Sequence, residues 1–304
     1  INLPRVRGIR MEPVSSNDHR LRLARQITAV ENDTPAGRKA LDDSFVNAGK
    51  AMLIGVTGAP GTGKSSLVNQ LSRYLRHEKQ LTVGIVAVDP SSPFSGGAIL
   101  GDRVRMRDLS GDEGVFIRSM ASRGALGGLA IASAGVVQLL DAAGYDVVLI
   151  ETVGAGQSEV DIARLAHTTL VVEAPGFGDD IQAIKAGILE IADILVLNKA
   201  DLPGVESTER ALKANLELGY SVTSNGKAGH RQSAQAPQEP VAGWKPPIIK
   251  TIATSGVGMQ ALTEAIFRHR EHLAGSGILE ARTQERLRVE FEHLLQYRLL
   301  GTWK

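Results

Sequence analysis

The sequence contains no cysteine among its 304 residues. This absence excludes disulfides, thiolate nucleophiles and cysteine-based zinc or iron–sulfur sites, and it fits a reducing compartment. Any metal must therefore be bound through oxygen or imidazole ligands. Runs of about 18 apolar residues, the length needed to cross a bilayer, are also missing, and the first residues carry no apolar secretory core. We therefore expect no membrane association.

An excess of charge of either sign is missing as well. Lysine and arginine total 34 against 33 aspartates and glutamates, a formal net charge of +1. Because no long-range field would gather polyanions, nucleic acid is not expected as a partner. The hydrophobic share of 43% and the charged share of 22% exclude a disordered chain and indicate a globular one with one large core or two modest ones.

From about Gly49 onward, short apolar runs rich in β-branched residues alternate with longer amphipathic stretches. Several runs, such as VVLI and ILVL, are apolar throughout, which is typical of strands covered on both faces. This alternation predicts an α/β fold in which one mostly parallel central sheet carries helices on both faces. The seven predicted strands are residues 51–57, 82–88, 115–119, 146–151, 168–173, 194–198 and 248–253.

Helical periodicity at both ends predicts two appendages to this sheet. Helices at roughly 18–31 and 36–47 precede it, and Pro35 suits the first turn of the second helix. Two further helices, 258–273 and 278–300, follow the last strand. The chain thus divides into an N-terminal helical extension (1–48), a central α/β domain (49–256) and a C-terminal helical arm (257–304).

The C-terminal arm carries an apolar stripe at steps of three and four residues: Leu287, Phe291, Leu294, Leu295 and Leu299. Such a stripe packs either on the chain's own core or against a second subunit, and the sequence leaves both open. The preceding segment 221–247 is rich in Ser, Gly, Gln and Pro, and we expect a long mobile surface loop there, without chemistry.

The first predicted strand runs directly into GAPGTGKSS, which satisfies the G-x-x-x-x-G-K-[ST] pattern and predicts a P-loop NTPase. Glycines let backbone N–H groups wrap a phosphate, and the following helix adds its positive dipole end. The lysine bridges the outer phosphates, and the first serine hydroxyl binds Mg²⁺. The predicted nucleotide-binding residues here are Gly58, Ala59, Pro60, Gly61, Thr62, Gly63, Lys64, Ser65 and Ser66, and Lys64 is also a predicted catalytic residue.

The sixth predicted strand ends in NKAD, which contains Asn198, Lys199 and Asp201. A carboxylate accepts hydrogen bonds from both donors on the guanine edge, which adenine does not offer, so GTP is favoured over ATP. The alternative is a helix-start turn capped by Asp201. Farther on, IATSG would place Ala253 and Thr254 against the guanine carbonyl.

Magnesium prefers hard oxygen ligands, so acids at strand ends are candidates beside Ser65. Asp89, Asp102 and Glu151 are such acids, although each could instead cap a following helix. Glu151 stands where switch regions of GTPases ordinarily begin with aspartate, and this leaves the N–H of Gly154 for the γ-phosphate. Gln157 is a candidate for orienting the attacking water, or simply one of several polar loop residues. The predicted catalytic residues are therefore Lys64, Glu151, Gly154 and Gln157.

Four segments together resemble the MeaB family of G proteins, called MMAA in animals and ArgK or LAO/AO transport kinase in older naming. They are ITAVEND (27–33), VDPSSPFSGGAILGDRVRM (88–106), ETVGAGQSE (151–159) and APGFGDDIQAIKAGILEIADILVLNKAD (174–201). The resemblance covers essentially the whole chain, including both helical appendages.

The resemblance implies a GTPase related to signal-recognition and metal-insertion GTPases. It further implies a homodimer joined through the C-terminal arm, which gates cofactor loading of an adenosylcobalamin-dependent acyl-CoA mutase, typically methylmalonyl-CoA mutase. Asp89 and Asp102 match the family's first switch, residues 151–157 its second, and residues 175–185 a third switch that relays nucleotide state to the mutase. The alternative for this third segment is a rigid glycine turn, with Asp179 capping the helix that follows.

Two other functions stay open. A metal-inserting GTPase would need a loading site made almost entirely of imidazole, and His269 and His272 are better explained as an exposed helix face. A kinase of an amino-acid transport system would need a base directed at a phosphoacceptor, which the sequence does not show. The chain starts at Ile1, so we expect a trimmed N terminus. The expected compartment is bacterial cytoplasm, or the mitochondrial matrix in a eukaryote.

Overall fold

A computed structural model describes residues 17–89, 107–109, 111–121, 128–152, 164–176, 189–224 and 243–284, together with the single positions Arg286, Arg288 and Phe291. No helix within these ranges is both long enough and apolar enough to cross a membrane.

One sheet of seven strands organises the described residues. Its strands are β1 (Met52–Thr57), β2 (Val83–Asp89), β3 (Val115–Ala121), β4 (Val147–Thr152), β5 (Thr168–Glu173), β6 (Ile194–Leu197) and β7 (Ile248–Lys250). Their order across the sheet is β3-β2-β4-β1-β5-β6-β7, and every neighbouring pair is parallel. The predicted α/β fold is therefore confirmed, with β1 in the centre.

Helices cover both faces of this sheet. They are α1 (Asn17–Glu31), α2 (Pro35–Ser44), α3 (Lys64–Lys79), α4 (Gly128–Ala142), α5 (Val205–Ser224) and α6 (Met259–Gly275), with a short 3₁₀ turn at Arg107–Leu109. Successive strand residues point to opposite faces. Ile54 of β1 accordingly joins the core under α3 and α6, whereas its neighbour Leu53 joins the core under α1, α2 and α4. Strands buried on both faces explain the unbroken apolar runs of the sequence.

The N-terminal helices pack on the α4 face. Thr34 caps α2 by accepting a hydrogen bond from the N–H of Gly37 at 3.1 Å. A Cβ at Gly37 would lie 2.4 Å from the backbone of Ala29, so α1 and α2 approach too closely for a side chain there. The buried amide of Gln138 donates to the Ser44 hydroxyl at 2.7 Å, which ties α2 to α4.

Three element boundaries differ from the sequence predictions by three residues or more. Helix α2 ends at Ser44, not at residue 47, and β7 ends at Lys250, not at residue 253. Helix α5 includes residues 221–224, which were expected to form a loop. The physical reason is that residues 220–225 contain no glycine or proline, so the helix continues past Gly219 until Gly226 approaches. Residues 225–242 lie outside the described residues.

A buried polar cluster occupies the edge of the sheet where β5 and β6 begin. We call this group the basal cluster; it consists of His167, Thr168, Asp193, His269 and Arg282. Arg282 comes from the helical residues 278–284 of the C-terminal arm, and its guanidinium lies 3.3 Å from both carboxylate oxygens of Asp193. His269 of α6 contacts the Thr168 hydroxyl at 2.9 Å and Asp193 at 3.2 Å.

The basal cluster corrects one expectation. His269 is fully buried and is not part of an exposed helix face. The indole ring of Trp244 packs against its imidazole ring, with 4.7 Å between the ring centroids. The indole N–H of Trp244 donates to the Asp193 carbonyl oxygen at 2.8 Å. The sequence signal for this contact was a tryptophan at the end of a polar segment. A tryptophan whose ring is buried requires a hydrogen-bond partner for its indole N–H.

The buried surroundings shift the pKa values of two members of the cluster. Burial and the positive charges of Arg286, Arg270 and Arg282 lower the pKa of His167 to about 3. For Asp193, burial opposes ionisation, but the hydrogen bond with His269 and the charge of Arg282 outweigh it and hold its pKa below the usual value. His167 is therefore neutral, and its Nδ1 accepts a hydrogen bond from the Leu53 N–H at 3.3 Å.

A neutral, buried His167 makes the protein sensitive to acid. Unfolded histidine has a pKa near 6.5, so below that pH the unfolded chain binds a proton that the folded chain refuses until about pH 3. Unfolding free energy should fall by ~1.4 kcal/mol per pH unit well below pH 6.5 from this group alone. Urea unfolding of the wild type and of His167→Asn, which keeps an acceptor for Leu53, should show a flatter pH dependence in the variant. Equal pH slopes would contradict this account.

Candidate nucleotide-binding site

The loop between β1 and α3 closely follows the ends of two neighbouring strands. Gly58, Gly61 and Gly63 all have positive φ angles, of 139°, 82° and 92°. A Cβ at Gly58 would lie 2.1 Å from the Val172 carbonyl oxygen of β5, and one at Gly63 would lie 2.5 Å from Asn198 Nδ2. These two glycines are therefore required both by conformation and by close approach.

Helix α3 begins directly from this loop, with Gly63 as its cap residue. Gly63 has no side chain to bond the first-turn N–H groups, and no acid occupies that turn. These donors and the positive end of the helix dipole therefore suit an anionic ligand such as a phosphate. Helix α3 anchors the loop to the core, because its side chains Leu67, Val68 and Leu71 are fully buried there.

The ammonium group of Lys64 lies across the phosphate loop. Its Nζ donates to the carbonyl oxygens of Gly58 at 2.7 Å and Ala59 at 3.0 Å, and only 6% of the residue is exposed. Thr62 is fully buried, and its hydroxyl also donates to Ala59 O, at 2.9 Å. The lysine thus stands at the centre of the loop, where a point charge can reach phosphate oxygens.

Ser65 and Glu151, two of the predicted metal ligands, come together in the structure. The Ser65 hydroxyl donates to Glu151 Oε1 at 2.6 Å, although 86 residues separate them. The pairing of β1 with β4 places Glu151 beside Val56, one residue before the end of β1, and therefore next to the loop. Glu151 is 1% exposed, so the carboxylate faces the site and not bulk solvent.

The other predicted ligands and catalytic residues cannot be placed in the same way. Asp89 is the last residue of β2, next to β4, but its side chain lies outside the described residues. Asp102, Gly154 and Gln157 lie outside them entirely. Their roles stay predictions.

Asn198 is a junction between the two halves of the site. Its buried amide donates from Nδ2 to the Thr62 carbonyl oxygen at 2.8 Å. Its Oδ1 accepts hydrogen bonds from the Thr251 hydroxyl and the Ala253 N–H, both at 3.1 Å. Asn198 therefore joins the phosphate loop to the IATSG segment.

The remaining residues of the predicted base-reading set lie around this junction. Lys199 has a left-handed backbone conformation, with φ of 54°, and its Cε lies 4.0 Å from the position of a Cβ on Gly63. Asp201 and Thr254 are exposed, whereas Ala253 is buried. Asp201 is thus accessible from solvent, as a base-reading carboxylate must be.

Sequence reasoning missed three buried threonines at this end of the sheet. Thr251, which is fully buried, completes the hydrogen bonding of Asn198. Thr57 and Thr152 contact each other through their hydroxyls at 3.2 Å, between the ends of β1 and β4. For Thr57 the available signal was a threonine at the last position of an otherwise apolar strand, which indicates a local hydrogen bond at the strand end.

Comparison with known proteins identifies the family. A family model described as methylmalonyl-CoA mutase-associated GTPase MeaB matches residues 23–304. The chain belongs to the MeaB family. A Pyrococcus abyssi protein named as a GTPase is 43% identical over 291 residues, which cover 96% of this chain and 84% of the relative.

Two further similarities support this placement of the MeaB-family chain. The mouse protein named methylmalonic aciduria type A homolog, mitochondrial, is 34% identical over 260 residues, covering 85% of this chain and 59% of that protein. A crystal structure of an LAO/AO transport system kinase superposes with a TM-score of 0.68 at 25% identity, covering 97% of this chain and 87% of that one. The resemblance seen in the sequence is confirmed, and this MeaB-family protein is a P-loop GTPase that binds guanine nucleotides.

Replacing Lys64 tests the phosphate loop. Lys64→Ala removes the charge that we expect to neutralise the transferred phosphoryl group, and GTP hydrolysis should fall by about 10²- to 10³-fold. Phosphate release under single-turnover conditions measures this. Lys39→Ala, which breaks an exposed ion pair with Asp43 on α2, is the matched control and should leave the rate unchanged. Near-normal hydrolysis by Lys64→Ala would remove Lys64 from the site.

Replacing Asp201 tests the base assignment. Asp201→Asn exchanges a carboxylate acceptor for an amide that can donate to the extra carbonyl of xanthine. Affinity for GTP should fall by about 10- to 100-fold, while affinity for xanthosine triphosphate rises. Competition against a fluorescent nucleotide measures both affinities. A variant that still prefers guanine would show that Asp201 does not read the base.

Proposed function

We propose that this GTPase acts as a chaperone for an adenosylcobalamin-dependent acyl-CoA mutase, most simply methylmalonyl-CoA mutase. The observation that carries the proposal is the extent of the family match, which runs from residue 23 to residue 304. It therefore includes the helical appendages as well as the nucleotide domain. The name of the family model links it to that mutase, and the mouse relative is named for methylmalonic aciduria.

In this proposal Mg²⁺ accompanies the nucleotide. The site fits such an ion, since a buried carboxylate and a hydroxyl, both hard oxygen ligands, lie 2.6 Å apart beside the phosphate loop. Ser65 and Glu151 would hold the ion, with Asp89 and Asp102 as further candidate ligands. When bound, Mg²⁺ neutralises charge on the β- and γ-phosphates.

The residues of the chain have separate tasks in hydrolysis. Lys64 neutralises charge on the outer phosphates, and the backbone of residues 58–63 surrounds them. We propose that the N–H of Gly154 donates to the γ-phosphate and that Gln157 orients the attacking water. We assign no arginine finger to the chain, so intrinsic turnover should be slow until a partner completes the site, a gain that reaches ~10³–10⁵-fold in other GTPases.

The proposed relay to the mutase is the third switch, residues 175–185. Its support comes from the strand that leads into it. Val172 of β5 approaches Gly58 of the phosphate loop so closely that no Cβ would fit between them. Beyond β5, Gly176 adopts a φ of 78° and is exposed. A glycine at this strand exit permits two loop conformations, and contact with nucleotide would bias one of them.

The relay can be separated from nucleotide binding by mutation. Asp180→Asn and Lys185→Ala should leave GTP affinity within about twofold of the wild type, while stimulation of GTP hydrolysis by the mutase falls by about tenfold or more. Hydrolysis rates with and without purified methylmalonyl-CoA mutase measure the effect. Lys213→Ala, at an exposed ion pair on α5, is the control. Undiminished stimulation in both switch variants would leave the third switch without a role.

The mutase proposal itself needs a binding measurement. A pull-down with adenosylcobalamin-dependent mutases in GTP and in GDP should recover one mutase, and its cofactor loading should depend on the nucleotide. GTP labelled in its γ-phosphate distinguishes a kinase: label should appear as free phosphate, and label transferred to a periplasmic amino-acid-binding protein would favour the kinase function. In this proposal a homodimer forms through the C-terminal arm, and the compartment is that of the mutase.

A further inference from the structure

We propose that Arg282 is a positioning residue of the nucleotide site, through which the C-terminal arm and the bound nucleotide influence each other. Arg282 touches no residue of the phosphate loop. Its Nη1 donates to the His167 carbonyl oxygen at 2.6 Å, and both of its Nη atoms lie 3.3 Å from Asp193 oxygens. The two charged side chains are only 9% and 10% exposed.

The contacts of Arg282 reach the beginnings of three strands. His167 directly precedes β5 and is joined to β1 on both sides of Leu53: its N–H donates to Leu53 O at 2.8 Å, and its Nδ1 accepts from Leu53 N. Asp193 directly precedes β6 and is joined to β5, because its N–H donates to Thr169 O and its Oδ2 accepts from Thr169 N. Arg282 thus connects the amino-terminal ends of β1, β5 and β6, through its contacts with His167 and Asp193.

The opposite ends of the same three strands carry the nucleotide site. Strand β1 ends at the phosphate loop, β5 approaches Gly58 and leads to Gly176, and β6 ends immediately before Asn198. The strands are short, buried on both faces and hydrogen-bonded to one another. A displacement of the arm at the basal cluster would therefore shift a rigid unit that includes the site. Coupling of this kind is reciprocal, so nucleotide would also bias the arm.

A second observation marks Arg282 as the point where the arm is held. One helical turn farther on, Arg286 is only 5% exposed, and its Nε and Nη1 have no hydrogen-bond partner among the described residues. Arg286 therefore adds no hydrogen bond through these two atoms within the described residues, whereas Arg282 makes three. Within the described part of the arm, Arg282 is the residue that links it to the beginnings of β5 and β6.

The test compares two arginines that each form an ion pair with an acid. Arg282 does so at the amino-terminal ends of the central strands, and Arg118 does so on the outermost strand, β3. Arg282→Met removes the contacts with Asp193 and His167 but keeps an apolar stem. Arg118→Met breaks the ion pair of Arg118 with Glu31, which joins β3 to α1 at the edge strand. Both variants should unfold at a lower temperature. Only Arg282→Met should weaken GTP binding, by about fivefold or more.

Arg282→Lys should give an intermediate affinity, because lysine keeps the charge but cannot supply two parallel hydrogen bonds. Normal GTP affinity in Arg282→Met, or an equal loss in Arg118→Met, would overturn the proposal. A third readout needs no change in the cluster. In Trp303→Phe, Trp244 is the sole tryptophan, and it contacts Asp193 and His269. GTP should change its fluorescence, and an unchanged spectrum would overturn the proposal even if Arg282→Met failed to fold.

Discussion

The side-chain amide of Asn198 is the interaction on which the nucleotide site depends. It is buried, and it satisfies a carbonyl of the phosphate loop, a threonine hydroxyl and a backbone N–H of the IATSG segment together. Loss of the amide would remove a buried hydrogen bond from each of these groups. The predicted phosphate loop and the predicted base-reading segment are therefore held in one relative position, as binding of a ligand to both would require.

The parallel sheet provides the frame for this junction. Because all strands run in one direction, their carboxyl ends meet at one edge, where β1 supplies the loop, β4 supplies Glu151 and β6 leads to Asn198. Their amino ends meet at the other edge, around Asp193. The ligand site and the basal cluster are thus opposite ends of the same hydrogen-bonded strands. The predicted nucleotide site thus lies at the carboxyl ends of the strands, and the described part of the C-terminal arm attaches at their amino ends.

Much of this arrangement could be predicted from the sequence. The loop glycines, Lys64 and the apolar strands are local patterns with a direct physical cause, and all seven strands are found where periodicity indicated. The proximity of Ser65 and Glu151 followed from the rule that parallel strand ends share an edge. Their roles as ligands stay predictions, as do those of Asp102, Gly154 and Gln157.

Other features could not be predicted, because they depend on contacts distant in sequence. Nothing local to Arg282 indicates that it binds the residue before β6, and nothing local to His269 distinguishes a buried ring from an exposed one. The linking role of Asn198 was hidden for the same reason, since its partners Thr62 and Thr251 lie far from it in sequence. Strand register and helix packing determine these contacts, and neither can be predicted from a short sequence motif.

The central claim is that one rigid site binds the triphosphate of a nucleotide and selects guanine as its base. Calorimetric titration with GTP and with ATP, each in the presence of magnesium, tests it most directly. The account predicts that GTP binds about 100-fold or more tightly than ATP, because ATP would leave the carboxylate of Asp201 unpaired. Equal affinity for the two nucleotides, or binding of neither, would contradict it.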